Sequence, residues 1–211
     1  MRPVVKTALR RLWRDPTTLQ IGVLAHRAVV VGGVGDRAAG LVAALDGAHD
    51  DQALRLRARG LGLDEAVVER LVAMLAEAEV LDDAATDAGV LAELPRRDRD
   101  RLAPDVASLS LVSGQLDGGR AAVSRRWRAS LGIVGAGRVG SAIATLLAAA
   151  GVGHITVDDP ATCRLSDCTP AGVTAADAGT SRAQAAHAAI HRVSESTRTS
   201  QLGAAQRHDL V

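Results

Sequence analysis

Residues 17–31 contain two short apolar runs that predict a β-hairpin. The first run covers residues 17–23, and the second covers residues 27–31 and ends in three consecutive valines. Branched residues are enriched in strands, and the segment around His26 separates the two runs. We therefore expect His26 to lie in the turn between two antiparallel strands.

Two segments after this hairpin have apolar residues at helical spacing. Residues 36–45 form the first, with Asp36 as the expected N-cap. Its apolar positions are Leu41, Val42 and Leu45. Residues 50–59 predict a second helix, which ends at the following glycines.

A third helix is predicted after Asp64, which is expected to be its N-cap. Its apolar positions form one broad face: Val67, Val68, Leu71, Val72, Leu75 and Ala78. Two strands followed by three short helices predict a small winged-helix-like α+β module over residues 1–85.

The pattern weakens over residues 86–128, which are expected to link two domains. Charge runs, two prolines and a glycine-rich stretch are typical of linkers and surface helices. We expect one short helix over residues 104–111 and another over residues 120–128.

Residues 129–140 (ASLGIVGAGRVG) predict a short strand that runs into three glycines and an alanine-rich helix over about residues 139–150. Gly135 permits a tight turn, Gly137 lets backbone N–H groups approach a phosphate, and Gly140 lets the helix pack on the strand. The helix N-terminus adds partial positive charge. The pattern predicts a phosphate-binding loop, and the alternative is a purely structural turn.

A second strand and two acidic residues follow at the spacing of a nucleotide-binding unit. The strand is expected over residues 154–157, and Asp158 and Asp159 come 23 and 24 residues after Gly135. A carboxylate here accepts hydrogen bonds from ribose hydroxyls. Successive strand residues face opposite ways, so only one of the two points at the ligand. Residues 129–211 thus predict a partial Rossmann-like α/β domain with a parallel sheet.

Charge and aromatic content exclude several function classes. The sequence has 25 Lys and Arg against 24 Asp and Glu, a formal charge of +1, so neither nucleic acid nor a membrane is expected as a partner. Trp13 and Trp127 are the only aromatic residues among Phe, Trp and Tyr, which leaves almost no platform for base stacking. Lys6 is the only lysine, which excludes a Walker A loop.

No metal or thiol chemistry is predicted. Cys163 and Cys168 lack the spacing of a CxxC zinc half-site and are expected to be reduced thiols in a cytoplasmic protein. His187 and His191 are spaced as a helical i, i+4 pair, but no acidic ligand is expected on that face. The first residues lack the apolar core of a secretion signal, and no run is long enough to span a membrane.

The segment IVGAGRVGSAIATLLAAAGVGHITVDD resembles the nucleotide site of the ThiF/MoeB/HesA superfamily, which includes the activating enzymes of ubiquitin-like proteins. Within this segment, the residues AAAGVGHITVDD distinguish the superfamily from ordinary NAD dehydrogenases. AADAGTSRAQAA at residues 175–186 is similar to the family's D-x-G-x-x-K-A segment, with Arg182 at the position of the lysine. Together these motifs cover about residues 130–190.

The resemblance implies a ThiF-type nucleotide-binding fold and an ATP-dependent adenylyltransferase that uses magnesium. The acceptor would be the C-terminal carboxylate of a ubiquitin-like or sulfur-carrier protein or a peptide. Asp159, or Asp158, would hold the ribose, and Arg182 would meet the phosphates. The N-terminal module also resembles PqqD-like peptide-recognition domains, which implies that a peptide adds to the edge of the hairpin.

Two other functions stay open at this point. One is a noncatalytic peptide-binding partner subunit in modified-peptide biosynthesis, and the other is an oxidoreductase that binds NAD(P) on a Rossmann domain. Calorimetry with ATP and with NAD distinguishes an ATP-dependent adenylyltransferase from an NAD-binding oxidoreductase.

Three departures from the family pattern bear on activity. Ala161 stands where the family has a second, magnesium-associated carboxylate, and Pro170 stands where it has an arginine. The family's sheet also continues beyond a short strand expected at residues 197–202 and the start of another at 209–211. We therefore expect a truncated member, or a partner that completes its site with a second subunit or as a homodimer, with weak or no activity alone.

Overall fold

The computed structural model describes residues 1–201 and residue 209. Within them the chain forms two units. The first contains Met1–Ala88 and Val106–Arg120, and the second contains Gly89–Asp105 and the described residues from Ala121 onward.

The strands of the first unit form two antiparallel sheets. They are β1 (Pro3–Val5), β2 (Arg11–Asp15), β3 (Thr18–Ile21), β4 (Val29–Val31) and β5 (Leu81–Asp83). β1 pairs with β5, and the other three form a sheet in the order β2-β3-β4. The predicted hairpin is confirmed as β3 and β4, with Gln20 opposite Val30. The sequence pattern missed β2 because all of its residues are exposed, so no alternation of apolar and polar positions marks it.

The three helices predicted from apolar spacing in the first unit are confirmed. They are α1 (Asp36–Ala43), α2 (Asp51–Gly60) and α3 (Glu65–Glu77). Asp50 caps α2 and Asp64 caps α3, each by accepting a backbone N–H of the first turn. The expectation that Asp36 is an N-cap is wrong. The extended backbone of Gly35 takes the cap position and Asp36 is the first helical residue, where its charge faces the helix dipole instead.

Three more helices lie within residues 86–128: α4 (Val90–Glu93), α5 (Arg96–Ser113) and α6 (Arg120–Arg128). The helix predicted over residues 120–128 is confirmed. The helix expected over residues 104–111 is part of α5, which has 18 residues and contains Pro104 in its interior. Proline removes one helical hydrogen bond, and the two units divide directly after the next residue. The placement of a linker at residues 86–128 stays a prediction.

The first unit has an aliphatic core with one buried ion pair beside it. Its fully buried leucines are Leu19, Leu41, Leu45, Leu54, Leu75 and Leu81. Lys6 Nζ lies 3.0 Å from Asp82 Oδ1 and donates to the Ser110 carbonyl at 2.5 Å, and Ser110 Oγ donates to Asp82 Oδ2 at 2.6 Å. This cluster attaches the end of α5 to the β1–β5 sheet.

The second unit contains a parallel strand, helix, strand arrangement, as the sequence predicts. β6 (Ser130–Val134) and β7 (His154–Asp158) pair in parallel, and α7 (Arg138–Ala149) connects them. α8 (Arg182–Val193) packs on α7. Small and branched residues fill the space between these elements: Ala136, Ala144, Ala148, Ile155, Val157, Ala186 and Ile190.

The chain returns to β7 after α8. Arg198 forms a parallel bridge with His154, and the Ile155 N–H donates to the Arg198 carbonyl at 2.9 Å. Among the described residues, the strand expected at residues 197–202 consists of this single bridge, and residue 202 lies outside them.

Asp209 lies at the first residue of β6. Its N–H donates to the Ser130 carbonyl at 2.7 Å, and its Oδ2 accepts from the Ser130 N–H at 2.6 Å. The strand expected at residues 209–211 otherwise falls outside the described residues.

No helix in the described part of the chain is long and apolar enough to cross a membrane.

Candidate functional site

The glycine loop between β6 and α7 has the backbone geometry that its motif predicts. Gly135 has a φ of +87°, in the left-handed region that favours glycine, and its N–H donates to the Asp158 carbonyl at 2.8 Å. A Cβ at Gly140 would lie 1.9 Å from the Gly135 carbonyl oxygen. Only glycine therefore lets the first turn of α7 lie this close to the loop.

Gly137 is the N-cap of α7 and borders two charged side chains. A Cβ at this position would lie 3.7 Å from Arg182 Cζ and 3.7 Å from Asp167 Oδ1. The first N–H groups of a helix have no partner within the helix and point outward. The loop therefore presents backbone donors next to a guanidinium and a carboxylate.

Asp159 is buried and accepts hydrogen bonds from the backbone of the glycine loop and of the segment that follows β7. Its Oδ2 accepts from the Ala136 N–H at 2.8 Å, and its Oδ1 accepts from the Ala161 N–H at 2.9 Å. The Ala136 hydrogen bond is the main reason that the pKa of this carboxyl lies below its ordinary value. Asp158 is the exposed last residue of β7. The two carboxylates thus have different environments, which the sequence could not assign.

Arg182, the first residue of α8, is paired with Asp167. Its Nε and Nη2 each donate to one oxygen of Asp167 at 2.9 Å, and its Nη1 lies 3.6 Å from Asp159 Oδ2. The hydrogen bonds from Arg182 lower the pKa of Asp167 and raise the pKa of the guanidinium. The structure therefore brings Arg182 to the glycine loop, as predicted, but with its charge already compensated.

Sequence reasoning missed Asp167 as a member of the site. It ends the 3-10 turn Leu165–Asp167, where its Oδ2 also accepts from the Arg164 N–H at 2.8 Å. Arg138, at the start of α7, donates twice to the Ser166 carbonyl, at 3.1 and 2.7 Å. An aspartate three residues after the start of a turn is the available sequence signal.

The two positions that depart from the family pattern carry no charge at the loop. Ala161 contributes only its backbone, since its N–H donates to Asp159 and its carbonyl accepts from the Arg182 N–H at 2.8 Å. Pro170 is exposed.

The structure offers no cluster for a resident metal among residues 1–201 and 209, where no group of three His, Cys, Asp or Glu side chains is suitably placed. Burial lowers the pKa of His187, and the His191 ring lies 3.1 Å from Thr199 Oγ1. Burial also raises the pKa of the Cys163 thiol, which disfavours the reactive thiolate. Cys168 is likewise a free thiol.

An apolar groove of about 600 Å³ lies along β6 and α7 and includes Gly135 and Gly140 of the loop. It is lined by aliphatic residues and glycines and contains none of the charged groups described above. The Arg182–Asp167 pair and Asp159 are therefore not part of this groove.

A family model described as the ThiF family matches residues 118–205. The match covers less than half of the chain and agrees with the resemblance seen in its glycine and acidic motifs. The family is of the adenylyltransferase type. No curated protein matches the chain.

Solved structures share this fold over nearly the whole chain. The PaaA crystal structure matches with a TM-score of 0.71 at 22% identity and covers 92% of this chain and 58% of its own. The crystal structure of Escherichia coli MccB with ATP matches with a TM-score of 0.64 at 11% identity, and the match covers 95% of this chain and 55% of MccB. MccB in complex with N-formylated MccA matches with a TM-score of 0.62 at 11% identity, and the match covers 97% of this chain and 56% of MccB. The chain thus spans less than three fifths of these structures, and the likeness shows the fold alone.

Proposed function

We propose that the second unit binds ATP at the glycine loop, as the nucleotide-binding part of an adenylyltransferase. The substrate would be the C-terminal carboxylate of a ubiquitin-like or sulfur-carrier protein or of a peptide. The observation that carries this proposal is the close approach of Gly137, at the start of α7, to the Arg182 guanidinium. The ThiF match and the ATP in one MccB structure support it.

The residues present fit a nucleotide triphosphate. A Cβ at Gly135 would meet nothing within 4 Å, so the turn is open on its outer side. The first N–H groups of α7 and its dipole favour an anion at this position. Arg182 adds a guanidinium that matches phosphate oxygens in geometry.

Each acidic side chain at the loop has a separate task in this proposal. Asp159 holds the loop conformation through its bonds to Ala136 and Ala161. Asp158 is the exposed carboxylate at the end of β7, and in this proposal it would accept hydrogen bonds from the ribose hydroxyls. Magnesium takes most of its ligands from phosphates and water, so one or two carboxylates suffice.

Bound ATP supplies an electrophilic α-phosphorus, which an acceptor carboxylate oxygen attacks as pyrophosphate leaves. The chain contributes positioning and charge stabilisation at this step. The N–H groups at the start of α7 and the Arg182 guanidinium would compensate negative charge on the phosphates.

We propose that the first unit recruits the acceptor peptide by strand addition to the outer edge of β4. Among the residues that the structure describes, β4 pairs with β3 alone, and its valines are partly exposed. An extended peptide gains backbone hydrogen bonds at such an edge. MccB structures with MccA support a peptide as the acceptor class. Titration with an acceptor peptide should shift the amide NMR signals of β4; shifts confined to the second unit contradict this role.

Calorimetry with ATP tests the nucleotide site, with NAD as the comparison ligand. We expect ATP to bind more tightly than NAD, and Asp158→Asn to weaken ATP binding about tenfold through the loss of one charged hydrogen bond. If folded protein binds neither ligand at millimolar concentration, the chain is better described as a noncatalytic peptide-binding partner. Tighter binding of NAD would favour an oxidoreductase.

A further inference from the structure

The Arg182 guanidinium and the Asp167 carboxylate form a closed, bidentate pair beside the glycine loop. Both bonds are 2.9 Å long, and the Asp167 side chain is only 8% exposed. Paired in this way, the guanidinium has two of its three nitrogens occupied by one carboxylate. The remaining nitrogen, Nη1, lies 3.6 Å from Asp159 Oδ2.

Asp167 also stands where an anionic ligand would have to approach. A Cβ at Gly137 would lie 3.7 Å from Asp167 Oδ1 and 3.8 Å from Arg182 Nη1. A phosphate that uses the N–H groups at this end of α7 therefore meets a carboxylate of the same sign. Like charges at such separations repel strongly when they are shielded from water.

The turn that carries Asp167 lies at the surface of the unit. Arg164, Leu165 and Ser166 are exposed, and the side chain of Leu165 makes no part of the core. The bonds from Arg138 to the Ser166 carbonyl, at 3.1 and 2.7 Å, and from the Arg164 N–H to Asp167, at 2.8 Å, hold the turn in place. The Arg138 bonds are exposed and the Arg164–Asp167 bond is partly buried, and none of them involves the aliphatic core, so the turn can be displaced without opening that core.

We infer that Asp167 is an internal counter-ion of Arg182 and that polyphosphate must displace it before Arg182 binds the phosphates. The pair makes the nucleotide site self-inhibited. This inference rests on the proposed function, because it assigns a competitor to the same phosphate site. It predicts that neutral substitutions of Asp167 increase affinity for ATP and for inorganic tripolyphosphate.

An aspartate that is paired with an arginine elsewhere in the second unit provides a control. Arg126 Nη1 donates to Asp105 Oδ1 at 2.8 Å, and both side chains are partly buried. Asp105 lies in α5, outside the glycine loop and outside the segments that resemble the family's nucleotide site. Asp105→Asn removes one charge from an ion pair that is not part of the proposed phosphate site.

The test is calorimetric titration of the full chain with ATP and with tripolyphosphate. Asp167→Asn should bind both ligands at least about tenfold more tightly than the unmodified chain, and Asp105→Asn should bind them unchanged. Asp167→Ser keeps a hydroxyl that accepts the Arg164 N–H and serves if the amide variant does not fold. The gain should disappear when Arg182→Gln is added, since the competitor acts through that guanidinium.

The outcomes separate this inference from the proposed function. If the unmodified chain binds ATP but Asp167→Asn binds it equally or more weakly, Asp167 orients Arg182 and the inference is overturned, while the nucleotide site stands. If only the Asp167 variants bind, the inference is supported in its strongest form. If no folded variant binds either ligand, the proposed function fails and the inference fails with it.

Discussion

At the scale of single residues, the glycine loop shows why two glycines of one motif have different tolerances. Gly140 allows no side chain because of the Gly135 carbonyl at 1.9 Å from its Cβ position, whereas Gly137 has only contacts of 3.7 Å or longer. Both residues belong to the same motif. Packing against the Gly135 carbonyl requires glycine at residue 140, whereas glycine at residue 137 keeps access to the loop open.

Gly140→Ala should therefore destabilise the second unit more than Gly137→Ala does. We expect a loss of about 1–3 kcal/mol or more for Gly140→Ala, because the backbone must move to relieve the overlap. Gly137→Ala should cost less, at most about 1 kcal/mol, because it creates no overlap and only replaces a glycine N-cap by the less favourable alanine. Urea denaturation followed by circular dichroism measures both, and equal stabilities would contradict the close approach.

Asp159 makes stability depend on pH in the acid range. Its pKa is lowered in the folded state, chiefly by the Ala136 N–H, so the unfolded chain takes up this proton at a higher pH. The stabilisation is present above the ordinary aspartate pKa of about 4 and is lost as the pH falls through the lower, folded value. In Asp159→Asn, the fall in the free energy of unfolding below about pH 4 should be shallower. A slope identical to that of the unmodified chain would contradict this role.

At the scale of elements, helix caps separate two aspartates that look equivalent in the sequence. Asp64 accepts the Ala66 N–H at 3.0 Å, whereas Asp36 lies within α1 and makes no capping bond. Asp64→Ala should cost about 1 kcal/mol. Asp36→Ala should cost only the smaller interaction of a charge with the helix dipole, about 0.3–1 kcal/mol. Thermal denaturation of the two variants tests the ranking, and a larger loss for Asp36→Ala would reverse the assignment.

The elements around the loop also explain which strands were predictable. β6 and β7 were predictable because both contain aliphatic residues that favour strands, and Ile155 and Val157 of β7 are buried in the core between the strands and helices. β2 has an exposed sequence, RLWRD, and becomes a strand only through its pairing with β3. Long-range pairing of this kind leaves no local pattern.

At the scale of the whole molecule, we expect pyrophosphate exchange by this chain alone to stay near background. Ala161 and Pro170 supply no charge where the resembling family has a carboxylate and an arginine. Each missing preorganised charge costs about 10² to 10³ in rate. Exchange measured with an acceptor peptide tests this expectation. Robust exchange would contradict it, and exchange only after addition of a second subunit would support completion of the site in trans.

Much of the candidate site could be predicted because its determinants are local. The spacing of Gly135, Gly137 and Gly140 between a strand and a helix indicated the loop, and the motif around Arg182 indicated a cation for phosphates. The choice between Asp158 and Asp159 was not predictable, because it depends on where β7 ends and which side chain turns under the loop.

The sequence by itself determined the strand, helix, strand unit with its glycines, the hairpin, and the three helices of the first unit. Each of these depends on the conformational preferences and apolar spacing of neighbouring residues. Only the tertiary structure decided that Asp167 closes on Arg182, that Lys6 is buried against Asp82, and that α5 runs through the expected linker. The two ion pairs join residues that are 15 and 76 positions apart, and the third feature depends on the packing of a long helix. Such ion pairs form only when folding brings distant charges together in an environment that is shielded from water.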